Sequence, residues 1–178
     1  MHDRSLSPAH RLVLAAVFLA LAFVLPVITG SVPAIGNMLC PMHIPVLLCG
    51  FVLGAPWGAA VGICAPLLRS ALLGMPPLMP IGIGMIFELA VYGAVSGFCW
   101  RRVRHTLPAL YAVLLAAMTA GRLVWGVVRF VLAGLTGTAF PFSAFVSGAL
   151  LTALPGIAAQ LVLIPLILTA LQKARMIA

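Results

Sequence analysis

Glu88 is one of two acidic residues in this 178-residue chain, and it stands in a strongly apolar stretch. Arg69, Arg122 and Arg129 stand in similarly apolar surroundings. Charges inside a membrane segment are costly and usually face a bundle interior or a wet cavity. A carboxylate and three guanidinium groups so placed can pair with one another or grip a small polar molecule. Bond-making chemistry lacks its parts. The other acid, Asp3, is at the N-terminus, so Glu88 has no acidic partner. The four cysteines, Cys40, Cys49, Cys64 and Cys99, form no metal-ligand spacing with the histidines. The expectation is a protein that is not an enzyme and that needs no metal and no cofactor.

The elements that must position these groups follow from composition. The chain is 64% hydrophobic and 7% charged, with a mean hydropathy of +1.26. A soluble domain averages about 25% charged residues, so this chain could not cover a surface with polar groups. It reads as a polytopic membrane protein forming one domain over residues 1–178. The net charge of +8 would suggest nucleic acid in a soluble protein. Here the basic residues sit at loops and ends, where they set topology, and no nucleic-acid partner is expected.

Six apolar runs are expected to form a compact all-α bundle. They cover about residues 12–28, 43–54 (short), 58–73, 80–100, 108–133 and 142–171, the last with a kink at Pro155-Gly156. The N-terminal run is longer than a secretory h-region and reads as a retained first helix. Arg4, Arg11, the Arg101 to Arg104 cluster, Lys173 and Arg175 fall on one side. The opposite connections, 29–41, 74–79 and 134–141, hold no Lys or Arg. Both termini are therefore expected in the cytoplasm.

That topology gives the charges depths. Glu88 lies ~12 Å and Arg122 ~16 Å from the outer ends of their helices, Arg129 ~6 Å, and Arg69 about one turn. Arg122, Trp125 and Arg129 share one face of the fifth span, and Glu88 and Tyr92 share one face of the fourth. Arginine, tryptophan, carboxylate and tyrosine under apolar walls suit a small polar ligand. His43, at the start of the second span, and Asn37, in the loop before it, are further candidates. The competing reading is an internal Glu88–arginine pair that only locks the bundle. It uses one arginine and leaves two positive charges, although Arg69 could reach the outer headgroups.

Small residues recur at helical spacing: Ala16 and Ala20, then Gly50, Gly54, Gly58 and Gly62, then Gly93 and Gly97. Such spacing lets helices approach closely. Internal packing is the expected use of most of them, with the first-span alanines open as an outward docking face.

The order of segments carries a resemblance. It runs Leu14-Ala15-Ala16-Val17-Phe18-Leu19-Ala20, then His43-Ile44-Pro45-Val46-Leu47-Leu48-Cys49-Gly50, Ala65-Pro66-Leu67-Leu68-Arg69-Ser70 and Gly74-Met75-Pro76-Pro77. Phe87-Glu88-Leu89-Ala90-Val91-Tyr92-Gly93, Pro155-Gly156-Ile157 and Gln160-Leu161-Val162-Leu163-Ile164-Pro165 follow. This resembles the substrate-binding S component of an energy-coupling factor (ECF) vitamin transporter, over nearly the whole chain. The resemblance implies a multi-pass protein of a prokaryotic plasma membrane that binds a vitamin from outside. It implies docking on a shared module, made of a transmembrane coupling subunit and two ATPases, through an Ala-x-x-x-Ala pattern that Ala16 and Ala20 match. The chain has no Walker-A loop of its own. Pantothenate, or a pyridoxine- or pyrimidine-like ring stacked on Trp125 or Tyr92, fits the buried groups. The alternative is a stand-alone proton-coupled carrier for a small anion, with Glu88 as the proton site. Carriers commonly show two structural repeats, and no convincing duplication is visible here.

Overall fold

The structure is a computed structural model that describes residues 7–29 and 41–174. Among them regular structure is helical throughout. The helices are α1 (Pro8–Thr29), α2 (His43–Leu53), α3 (Ala55–Leu73), α4 (Ile83–Trp100), α5 (Leu107–Thr136), α6 (Phe142–Val146) and α7 (Leu154–Lys173). Five of these segments are long and apolar enough to cross a membrane: α1, α3, α4 with its leading turn, α5 and α7.

Two expectations about spans change. Helix α2 has 11 residues, about 16 Å at 1.5 Å per residue, against a hydrocarbon core ~30 Å thick. It cannot cross alone. The sixth span begins at Leu154 rather than Phe142. Wide turns over Ser147–Leu151 and Thr152–Ala153 separate α6 from α7. Pro155 therefore opens α7 in its first turn instead of kinking a longer helix, which suits a residue with no N–H to contribute.

The breaks have local causes. Gly54 ends α2 at φ 93°, a backbone region that side-chain-bearing residues avoid. Arg101 Nη2 donates to the Leu53 carbonyl at 2.9 Å, satisfying an acceptor that the helix end leaves open. Thr106 caps α5 by accepting from Ala109 N, with Pro108 in the first turn.

Helix α4 is the centre of the bundle, packed against α2, α3 and α5; α2 also meets α1, α3 and α7. The approach is backbone on backbone. A Cβ on Gly93 would collide with Gly58, and one on Gly62 with the Leu89 carbonyl. One on Gly97 would strike Gly54 and Ala55. The glycine series thus serves internal packing, as the spacing suggested. Ser96 adds a buried tie, donating to the Leu47 carbonyl at 3.4 Å.

Candidate functional site

Close packing of α2, α4 and α5 puts their polar groups at one level. Glu88 on α4 is 1% exposed. Arg122 Nη1 on α5 lies 3.1 Å from Glu88 Oε1. His43 Nε2, at the first residue of α2, lies 3.5 Å from the same oxygen. Tyr92, one turn along α4, also hydrogen-bonds the carboxylate. Its ring meets His43 edge-on at 5.2 Å and rests where a Cβ on Gly121 would stand. Three helices are therefore joined through one carboxylate. Because α2 starts at Glu88 and ends at Arg101, it fills only the part of the bundle between these two levels.

The Glu88–Arg122 level borders a half-open, mostly apolar pocket of about 260 Å³ between α4, α5, α6 and α7, lined by Tyr92, Met118, Arg122, Phe145 and Ile157 and by the exposed Leu115 and Leu123. Ligand pockets run from ~300 to 1,000 Å³, so only a small molecule suits it. Arg122 thus faces two ways, with Glu88 on one side and the cavity on the other.

Further along α5, Trp125 and Arg129 pack over Gly84, where an added Cβ would stand 3.1 Å from the indole and 3.3 Å from Arg129 Cδ. Arg129 is therefore level with the first turn of α4. Trp125 stacks on Phe145 with centroids 6.1 Å apart and meets Phe140 edge-on at 5.9 Å. The Arg129 guanidinium stands 4.9 Å over Phe140, a distance suited to cation–π attraction. Arg129 Nε and Nη1 are buried and have no hydrogen-bond acceptor among the described residues.

Of the residues singled out in the sequence, Glu88, Arg122, His43 and Tyr92 form one cluster, and Trp125 and Arg129 a second one or two turns away. Arg69 joins neither. Its Nη1 donates to the Phe23 carbonyl of α1 at 3.3 Å. Pro26 supplies no N–H to the ladder of α1, and the helix is weakened in the turn before it. Arg69 ties that turn to α3 instead of facing Glu88. Arg69→Ala is expected to lower stability by about 1–3 kcal/mol, the range for a hydrogen bond from a charged donor, with ligand affinity unchanged. Thermal melting beside a binding titration checks both halves.

Asn37 lies outside the described residues. Phe140, Phe145, Met118 and Ile157 were not picked out from the sequence. The aromatic run Phe140-Pro141-Phe142-Ser143-Ala144-Phe145 was the available signal for the first two. Tyr92 has no exposed surface, so a ring-stacking role for it finds no support.

Comparison with known proteins gives one positive result. A family model for the ECF transporter, substrate-specific component, matches residues 10–175. No curated protein and no solved structure matches the chain significantly.

Proposed function

Because this chain belongs to the family of ECF transporter substrate-specific components, we propose that it is the high-affinity binding subunit of an importer for a small water-soluble vitamin or precursor. Membership makes it a multi-pass, substrate-binding transporter component that works with a membrane-embedded energising module, not a member of an enzyme family. The finer reading is ours. The substrate is pantothenate or a pyridoxine- or pyrimidine-like compound, bound from outside a prokaryotic plasma membrane with both termini cytoplasmic. The whole chain acts as one domain in the bilayer.

The observation that carries this reading is Arg122, held by Glu88 at the wall of a small cavity. Glu88, His43 and Tyr92 fix the guanidinium, and Trp125 and Arg129 complete the site toward the first turn of α4. A site held by packing and secondary hydrogen bonds is preorganised for its ligand. Asn37, six residues before His43, contributes from the preceding connection.

Docking on the coupling subunit and its two ATPases is assigned to α1. Ala16 and Ala20 are exposed, whereas Ala15 and Ala22 are buried against the bundle. One face of α1 packs and the other presents small residues that permit close helix approach.

The test separates binding from transport. Wild-type protein purified in mild detergent from cells grown on rich medium is expected to retain a stoichiometric small molecule, identified by mass spectrometry. Ala16→Trp and Ala20→Trp should retain that molecule and lose uptake in cells. Unimpaired uptake in both variants would remove the docking assignment, and an unliganded protein with no vitamin affinity would remove the binding assignment.

A further inference from the structure

We infer that the ligand of this site carries a carboxylate, and that Arg129 receives it. The inference rests on the binding-subunit reading and deepens it.

Every charge in a low-dielectric interior needs a partner. Three arginines lie within the spans, and each has a distinct environment. Arg69 donates to the Phe23 carbonyl. Arg122 faces Glu88 at 3.1 Å. Arg129 has two buried nitrogens, Nε and Nη1, without an acceptor among the described residues, and its guanidinium stands over the Phe140 ring. A buried ion is stabilised when it is both paired and hydrogen-bonded, and it is expensive otherwise.

The protein has little with which to supply the missing anion. Its only acids are Glu88 and Asp3. Glu88 is already engaged by Arg122, His43 and Tyr92. Residues 30–40, the connection that leads into α2, contain no carboxylate at all. Asp3 belongs to the N-terminal segment, which the charge pattern assigns to the other side of the membrane, so the counter-charge for Arg129 is assigned to a molecule from outside the chain. A monoanion balances one guanidinium. A phosphate ester brings nearly two negative charges at neutral pH and would leave one uncompensated beside apolar rings. A neutral ligand would leave the guanidinium itself uncompensated.

Arg129 is also placed for this role. It stands level with the first turn of α4, the end of that helix expected to face outside, and Arg122 lies about two turns away on the same face of α5. The ligand is thus bipolar, with its carboxylate at Arg129 and a smaller polar or apolar portion toward Tyr92 and Arg122. A phospholipid headgroup presents a similar anion, and the experiment separates the two sources.

The test uses the full chain in dodecyl maltoside, which has no charged group. Thermal stabilisation and Kd are measured with pantothenate, nicotinate and biotin. The neutral counterparts panthenol, nicotinamide and biotin amide, and two phosphate esters without a carboxylate, 4′-phosphopantetheine and pyridoxal 5′-phosphate, complete the panel. At least one carboxylate is expected to stabilise the protein where its counterparts do not. Arg129→Gln should weaken that binding about thirtyfold or more, since truncating a buried charged contact costs at least ~2 kcal/mol. Arg129→Lys, which keeps the charge, should lose less. The melting temperature of ligand-free Arg129→Gln reports whether the variant folds.

A neutral compound binding as tightly as its carboxylate counterpart, or a carboxylate-free phosphate ester binding as tightly as any carboxylate in the panel, overturns the inference and leaves the binding-subunit reading intact. So does carboxylate binding that Arg129→Gln leaves unchanged. Added phosphatidylglycerol that stabilises wild type but not Arg129→Gln, with no response to any carboxylate, assigns Arg129 to a lipid headgroup and overturns it too. A protein that responds to no compound of any class removes the binding reading, and the inference with it.

Discussion

Replacing Glu88 with alanine is expected to lower the stability of the detergent-solubilised protein by about 3–5 kcal/mol, the cost of breaking a buried pair by removing one partner. The physical cause is the charge left behind. Arg122 would remain within the bundle with its side chain 14% exposed and its carboxylate gone. His43 and Tyr92 would lose the same acceptor. The second substitution in the cycle decides what the pair does. Glu88→Ala combined with Arg122→Met removes both charges and should recover much of the loss, because two apolar groups can replace a buried pair at little cost. Thermal unfolding of wild type, both single variants and the double variant measures the coupling. A Glu88→Ala cost below about 1 kcal/mol, the value of an exposed pair, would mean that water reaches the cluster and that the carboxylate does not join the three helices. Ligand binding in the double variant asks a separate question. Stability restored with affinity lost would show that the pair both holds the bundle and presents Arg122 to the cavity.

The second large effect concerns the contact between α3 and α4. Gly93→Val is expected to prevent stable folding, because its Cβ would occupy the backbone position of Gly58. Overpacking a core typically costs about 1–3 kcal/mol where side chains can give way. Here the obstacle is backbone, which can yield only if the helices separate and Ser96, Leu47 and the Glu88 cluster separate with them. Gly134 provides the control. It lies in α5 with nothing within 4 Å of an added Cβ, so Gly134→Ala should be neutral or stabilising by up to about 1 kcal/mol through helix propensity. Size-exclusion profile and melting temperature of the two variants give opposite signs if the close approach is correct. A monodisperse, normally melting Gly93→Val protein would place the helices further apart.

Much of the fold was legible because it follows from solvent. A long apolar run must become a helix in a membrane, where backbone groups have no water to bond. The bounds of α3, α4 and α5 came within a few residues on that ground. Helix α2 and the last span were less legible. An apolar run of a dozen residues does not reveal whether it crosses or stops at mid-depth. The 142–171 run contains no break in hydropathy at Thr152, so only the backbone turn before Leu154 shows that α6 and α7 are separate. The site divides in the same way. Helical spacing correctly placed Arg122, Trp125 and Arg129 on one face of α5. It could not choose the partner of Glu88, because three arginines lay within the spans and spacing along one helix does not rank groups on different helices.

By itself, the sequence determined that this chain lives in a membrane, that its helices meet through glycine, and that one carboxylate lies among apolar residues with more arginines than it can pair. These are consequences of composition and spacing, and the cost of charge in hydrocarbon makes them unavoidable. Only the tertiary structure decided how the charges are shared. The glycine contacts of α2, α3 and α4 set the helix levels, and those levels bring Arg122 and His43 to Glu88. Arg69 goes to the Phe23 carbonyl of α1 instead. Arg129 is left over the Phe140 ring, because helix packing leaves it there with no acceptor among the described residues.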